Sequence, residues 1–205
     1  MTMPTRVMII RHGEKPLVKG QVPFGLTSDG QEDWESLTIR GWQRAGALAD
    51  LFKPARGSLQ DPNLGVPDLI YASNPMDTGV HVPSSGEDDD EGSKSKRPLQ
   101  TITPLATKLI SDPNLTFAKG EEKLLADDIL TRSGTVLVCW QHKKIHKIIE
   151  HLLKTSGSKN PIPQVWPSDR FDIVWAFTPP STATEAWGFV QVPQRLLNGD
   201  RDVVI

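Results

Sequence analysis

The sequence contains a single cysteine, and no stretch of it is apolar over the length needed to span a membrane. Cys139 lies inside an apolar run, so the chain offers neither a disulfide framework nor a cysteine-rich zinc site. Residues 1–5 lack a charged flank followed by a secretory core. We therefore expect a cytoplasmic protein in a reducing compartment, with no membrane partner.

A strong excess of either charge is also lacking. The net charge of the 205-residue chain is −2, and because residues 87–91 alone carry −5, the rest of the chain carries +3. The acidity is therefore local, and the remainder can receive an anion. The six tryptophans are scattered along the chain, which argues against a base-stacking platform. We expect no nucleic-acid partner.

Two common site patterns are missing as well. No G-x-x-x-x-G-K run is present, which disfavours a nucleotide triphosphatase. His81, His146 and His151 do not combine with carboxylates at the spacing of metal ligands. We expect neither a metal nor another cofactor.

The composition that remains is that of an ordinary globular protein. Apolar residues make up 37% of the chain and charged residues 23%, which predicts one domain over residues 1–205. Residues 76–96 are the exception, because they combine polar clusters with the acidic run. Such a segment is too hydrophilic to bury, and we expect a disordered acidic insertion there.

Charged chemistry follows directly after the first apolar run of the chain. Residues 7–10 are Val-Met-Ile-Ile, a pattern typical of a strand covered on both faces. Arg11 and His12 come next, and Gly13 permits a sharp turn after them. In open α/β sheets, ligands bind at the carboxyl ends of strands. An arginine fork beside an imidazole suits a phosphoryl group at that place.

Strands and helices alternate along the rest of the chain. Apolar runs predict further strands, and apolar residues at spacings of three and four predict the helices between them. This order favours an α/β fold, a three-layer α/β/α sandwich with a mostly parallel central sheet and an antiparallel edge from the last two strands. The predicted strands are residues 68–73, 114–118, 135–140, 172–177 and 186–192; the predicted helices begin near residues 37, 97, 121 and 143.

Several short motifs resemble those of the histidine phosphatase superfamily, which includes the cofactor-dependent phosphoglycerate mutases. Arg11-His12-Gly13-Glu14 resembles its R-H-G motif. Residues 37–45 are similar to its L-T-x-x-G-x-x-Q-A segment, with Arg44 inserted in the usual spacing. Arg97-Pro98-Leu99-Gln100-Thr101 matches R-x-x-Q-T, and His142 ends a strand late in the chain. The resemblance covers the chain from Val7 to about Leu153.

The resemblance implies a phosphoglycerate mutase-like fold and a phosphate pocket built from Arg11, His12, Arg97 and His142. In that pocket His12 is the nucleophile, and the cations neutralise the phosphoryl oxygens and keep His12 unprotonated. One departure is the late motif. Relatives commonly have Thr-His-Gly, whereas this chain has Gln-His-Lys at residues 141–143.

The proton donor to the leaving group has several candidates. Relatives often use a carboxylate after the third strand, and Glu121 or Glu122 occupies about that position. Glu14, beside the nucleophile, is another candidate. The competing interpretation is that Glu121 and Glu122 are simply acidic residues that favour a helix N-terminus.

The function that follows is hydrolysis of a small phosphomonoester through a phosphohistidine on His12. The first alternative is a mutase, which returns the phosphoryl group to a second oxygen of the substrate. Mutase relatives usually carry a covering segment after the third strand, and here only residues 119–133 lie there. The second alternative is a non-catalytic module that binds an anion. The loops at residues 17–34, 76–96 and 178–185 are expected to determine specificity.

Overall fold

The computed structural model describes residues 3–76, 94–154, 156–182 and 185–205. The predicted acidic insertion at 76–96 lies mostly outside these residues, as does His81. The strands in the described part of the chain are β1 (Arg6–Arg11), β2 (Leu69–Ala72), β3 (Thr135–Trp140), β4 (Ile173–Thr178) and β5 (Gly188–Pro193). The helices are α1 (Ile39–Phe52), α2 (Arg97–Leu109), α3 (Glu122–Ile129) and α4 (His142–Leu153).

The five strands form one mixed sheet in the order β2-β3-β1-β4-β5. The pairs β2·β3 and β3·β1 are parallel, and the pairs β1·β4 and β4·β5 are antiparallel. The expected antiparallel pairing of the last two strands is therefore present, and β4 also pairs antiparallel with β1. A mostly parallel sheet was the wrong expectation, because β4 runs against β1 at the middle of the sheet.

The apolar runs of β1 and β3 are buried because both strands have neighbours on each side and helices on both faces. Val7 and Ile9 face the cluster that contains the apolar residues of α3 and α4. Met8 and Ile10 face the cluster that contains those of α1 and α2. Successive side chains of a strand point to opposite faces, so a continuous apolar run is what two covered faces require.

The predicted strand at residues 114–118 does not form a continuous strand. It touches the edge of β2 through two isolated parallel bridges, Tyr71 with Asn114 and Asn74 with Ala118. Between the bridges, the Asn114 side chain accepts a hydrogen bond from the Thr116 backbone N–H at 2.9 Å. This side-chain turn diverts the backbone and prevents a continuous ladder.

The helix boundaries follow local signals. Thr38 is the N-cap of α1, and its side chain accepts a hydrogen bond from the Gly41 N–H. Pro98 lies in the first turn of α2, where a proline costs no helical hydrogen bond. No helix in the described ranges is long and apolar enough to cross a membrane.

Candidate active site

The carboxyl ends of β1 and β3 lie side by side. Arg11 pairs with Trp140 in the parallel register, and the His12 backbone N–H donates to the Trp140 carbonyl at 3.2 Å. Gln141 and His142 follow Trp140 immediately, and His142 begins α4. The fold therefore brings the first and the last predicted motif to one edge of the sheet, and both histidines are buried, with exposures of 1% and 4%.

The ring of His12 is oriented by its own loop. Its Nδ1 lies 2.8 Å from the Gly13 carbonyl oxygen. A carbonyl only accepts hydrogen bonds, so Nδ1 carries a proton, and in the neutral imidazole the lone pair is then on Nε2. The Phe171 ring lies beside the imidazole, with 6.3 Å between the ring centroids. This is the tautomer that a nucleophilic Nε2 needs.

Gly13 is needed for close packing. A Cβ at this position would lie 3.0 Å from the Gly41 carbonyl oxygen of α1. Gly13 is not among the glycines with positive φ, so the predicted sharp turn is not what requires a glycine. The loop after β1 therefore lies directly against the first turn of α1.

The same loop is tied to the first turn of α2. The Gly13 N–H donates to the Thr101 hydroxyl at 2.8 Å, and that hydroxyl donates to the Arg97 carbonyl at 2.7 Å. Two residues of the R-x-x-Q-T motif therefore connect, through one hydroxyl, to the residue after His12. The sequence motif indicated Arg97, but the connecting role of Thr101 was not predicted.

The Arg97 guanidinium is buried, with an exposure of 1%, and it contacts the loop before α1. Its Nη2 donates to the Trp34 carbonyl at 2.6 Å, and its Nε donates to the Ser36 carbonyl at 3.4 Å. Glu35 lies 3.6 Å from Nη2. These contacts hold the side chain at the start of α2 and couple the 17–34 loop to the site.

Arg11 is fixed by a segment that the sequence did not single out. Its Nη1 donates to the Ser168 carbonyl at 2.6 Å and to the Pro167 and Arg170 carbonyls at 3.3 Å each. The guanidinium carbon lies 3.8 Å from the centroid of the Phe171 ring. Residues 167–171 lie just before β4, and no local pattern in the sequence marks them as part of the site.

Glu122 lies at the start of α3 and is buried, with an exposure of 5%. Its Oε1 accepts hydrogen bonds from the Trp140 indole and from the Gly120 N–H, each at 3.0 Å. Because Trp140 is the last residue of β3, the carboxylate lies beside the end of that strand. Glu121 has a local role instead, since its Oε2 accepts from the Ala118 N–H at 2.7 Å.

Glu14 is held by arginines of α1. The Arg44 Nε lies 3.1 Å from both carboxylate oxygens, and the Arg44 Nη2 lies 2.8 Å from Oε1. The Arg40 Nε also donates to Oε1, at 3.2 Å. Among the proton-donor candidates Glu14, Glu121 and Glu122, Glu14 is therefore the one whose carboxylate forms ion pairs with arginines.

Other reactive groups are less suited to chemistry. Burial raises the pKa of the Cys139 thiol, which keeps it protonated and unreactive. His146 and His151 are half-buried on α4. Within the ranges that the structure describes, no group of three or more His, Cys, Asp or Glu residues is arranged to hold a metal ion.

No protein-family model and no curated protein matches the chain. Several solved structures are similar to it, and two of them are described here. The protein histidine phosphatase SixA complexed with tungstate is 12% identical, with a TM-score of 0.49, and the alignment covers 92% of this chain and 97% of that one. A protein assigned as the phosphohistidine phosphatase SixA from Agrobacterium tumefaciens is 17% identical, with a TM-score of 0.48 and coverages of 93% and 99%.

Proposed function

We propose that this protein is a phosphatase that hydrolyses a small phosphomonoester through a phosphohistidine on His12. The observation that supports the proposal is the 2.8 Å contact between the His12 Nδ1 and the Gly13 carbonyl, because in the neutral ring of this buried residue it leaves the lone pair on Nε2. Arg11, Arg97 and His142 bind the phosphoryl oxygens and stabilise the charge that develops on them.

The reaction has two balanced steps. In the first, the His12 Nε2 forms a bond to phosphorus while the bond to the ester oxygen breaks, and an acid gives that oxygen a proton. In the second, water attacks phosphorus, the conjugate base of that acid takes a proton from the water, and the N–P bond breaks. Inorganic phosphate and unchanged His12 result, without a metal or another cofactor.

We assign the acid to Glu122 before Glu14. The donors from Trp140 and Gly120 both fall on one oxygen of Glu122, Oε1, and they orient the carboxyl group at the end of β3. Both oxygens of Glu14, in contrast, are bound by Arg44, so neither is available to a leaving group.

A non-catalytic anion-binding module of the same fold is the second candidate. The observation that favours it is the motif at residues 141–143, where the buried Gln141 and the exposed Lys143 flank His142. Lys143 stands where relatives commonly have the glycine that lets a backbone approach a ligand closely. Such a module would bind phosphate and release no product.

The test is the release of p-nitrophenol from p-nitrophenyl phosphate by the wild type, by His12→Ala and by His151→Ala. His151 is a histidine of α4 away from the β1 edge and serves as the matched control. We expect His12→Ala to lower kcat at least about a thousandfold, because the covalent route is lost, and His151→Ala to remain within about twofold of the wild type.

A trapping experiment identifies the intermediate. Acid-sensitive, alkali-stable phosphate should appear on the wild type and be absent from His12→Ala. Equal rates for the wild type and His12→Ala would remove the nucleophile assignment. Phosphate binding with no turnover of any ester would favour the binding module, and isomerisation of a phosphoglycerate faster than phosphate release would favour the mutase.

A further inference from the structure

We propose that Arg44 is a positioning residue for His12. In this proposal, which rests on the proposed nucleophilic role of His12, Arg44 holds the loop of residues 12–14 against α1 through the Glu14 carboxylate. Arg44 itself touches neither the imidazole nor the substrate. Its role would be to fix the place of the Gly13 carbonyl that selects the tautomer of His12.

The contact between Arg44 and Glu14 is bidentate. The Arg44 Nε lies 3.1 Å from each oxygen of Glu14, and Nη2 lies 2.8 Å from Oε1. The Arg44 side chain is 2% exposed and that of Glu14 is 13% exposed. Two parallel hydrogen bonds from a planar guanidinium define both distance and orientation, and little water is present to replace them.

The other side of the Arg44 guanidinium is held equally firmly. Its Nη1 donates to the Gln194 side-chain oxygen at 2.9 Å, and its Nη2 donates to Asp200 at 2.7 Å. Asp200 also accepts the backbone N–H groups of Leu196 and Leu197, at 2.8 and 3.1 Å. The segment after β5 therefore fixes the orientation of the Arg44 guanidinium. The guanidinium in turn fixes the position of the Glu14 carboxylate.

The backbone of Glu14 is bound by the same side of α1. Its carbonyl accepts from the Thr38 N–H at 3.0 Å and from the Thr38 hydroxyl at 3.1 Å. At Gly41, a Cβ would lie only 2.5 Å from the Glu14 carbonyl oxygen. Thr38, Gly41 and Arg44 are spaced by three residues, so they lie along one face of the helix. All three contact Glu14.

The link from Glu14 to the imidazole is short. Glu14 follows Gly13, whose carbonyl accepts from the His12 Nδ1 at 2.8 Å and whose N–H donates to Thr101 at 2.8 Å. If Glu14 loses its anchor, the Gly13 peptide can rotate and the Nδ1 hydrogen bond lengthens. Displacements of about 1 Å in a reacting group can cost on the order of a hundredfold in rate.

The experiment compares Arg44→Gln with Leu48→Ala, using p-nitrophenyl phosphate as the probe. Leu48 lies one turn further along α1 and is buried in the apolar cluster that contains Met8 and Ile10. We expect Arg44→Gln to lower kcat about 10- to 100-fold with KM changed less than about threefold, since the phosphate ligands remain. Leu48→Ala is expected to lower the Tm and to leave kcat within about twofold of the wild type at temperatures well below its Tm.

Arg44→Lys gives the conservative comparison. Lysine keeps the charge but loses the planar fork, so we expect a kcat between those of the wild type and Arg44→Gln. If Arg44→Gln does not fold, Arg44→Lys and Asp200→Asn decide. Both should lower kcat by about three- to tenfold, and wild-type kcat in both would overturn the proposal.

Nitrogen-15 NMR of the His12 ring provides a readout that does not need turnover. The wild type should show one tautomer protonated at Nδ1, and Arg44→Gln should show a mixture of both. An unchanged tautomer with unchanged kcat, or an equal loss of kcat in Leu48→Ala, would overturn the positioning role. If the wild type hydrolyses no ester, the proposed function fails while the NMR comparison still decides the role of Arg44.

Discussion

Two charged clusters in this protein have similar parts and different surroundings. The first is Glu14, Arg44 and Asp200, beside the loop of His12, and the second is Tyr71, Asp128 and Arg132, at the end of α3. In each, an arginine fork binds carboxylate oxygens at distances down to 2.7 Å. The Arg44 side chain is 2% exposed, whereas the Arg132 side chain is 42% exposed.

The clusters also differ in what they join. Arg132 binds Asp128 four residues earlier, so that pair forms almost within one turn. Arg44 joins Glu14, 30 residues away, to Asp200, 156 residues away. Similar distances therefore have different consequences. Water can replace the hydrogen bonds of the exposed pair, but it has little access to those of Arg44. The contacts of Arg44 also connect three separate parts of the chain.

The largest effect should come from removing the arginine of each cluster. Arg44→Met leaves two carboxylates, one buried and one nearly so, with only the partly exposed Arg40 as a cation and should lower the free energy of unfolding by about 3–5 kcal/mol. Arg132→Met breaks an exposed pair and should cost about 1 kcal/mol or less. Urea denaturation at pH 7 measures both. Equal losses for the two variants would mean that burial does not separate the clusters.

A smaller effect is expected from Asp200→Asn. This change keeps the shape of the side chain but removes its charge, and we expect a loss of about 2 kcal/mol at pH 7. The measurement is again urea denaturation. An unchanged midpoint would show that Arg44 needs only Glu14 as a charged partner.

The pH dependence sharpens this result. Burial acts to raise the pKa of Asp200, but the hydrogen bonds from Arg44 and from the Leu197 and Leu196 N–H groups outweigh it, so the pKa lies below its ordinary 3.8. For a carboxyl group whose folded pKa is lowered, the stabilisation is complete above the ordinary value and is lost as the pH falls through the folded pKa. The difference between the wild type and Asp200→Asn should therefore be constant from pH 5 to 7 and shrink below about pH 4.

The sequence predicted the parts of the site that depend on local patterns. Arg11, His12 and His142 follow apolar runs, and Arg97 begins an amphipathic helix, so the order of residues along the chain is enough to place them at strand and helix ends. The three elements concerned, β1, α2 and α4, end or begin where the motifs indicated. Whether their side chains share one anion remains a prediction, which the kinetic experiments address.

The parts that were missed depend on contacts far apart in the chain. The contact of Arg11 with residues 167–171 and that of Arg44 with Asp200 each span more than 150 residues. One local clue to Arg44 existed, since a charged residue stood beside Ala45 on the apolar face of α1. The pairing of β4 with β1 was missed for a similar reason, because an apolar run indicates burial and not which strand lies beside it.

A further modest effect in the second cluster concerns Tyr71, the only tyrosine of the chain. Its hydroxyl donates to Asp128 at 2.5 Å and accepts from the Arg132 Nε at 3.2 Å, and the residue is fully buried. Tyr71→Phe keeps the packing and removes these bonds, so we expect a loss of about 1–2 kcal/mol in urea denaturation. A loss as large as that of Arg44→Met would mean that the two clusters contribute equally to the free energy of unfolding.

The absorbance of the single tyrosine reports on the same cluster directly. Burial, together with the nearby Asp128 carboxylate, raises the pKa of Tyr71 above its ordinary 10.0. Because the folded pKa is raised, the stabilisation is complete below pH 10 and declines as the pH rises toward the folded pKa. The native protein should show no tyrosinate absorbance at pH 10, where the urea-unfolded protein is half ionised. Tyrosinate in the native protein at pH 10 would mean that water reaches the hydroxyl, and the second cluster would then be a surface contact only.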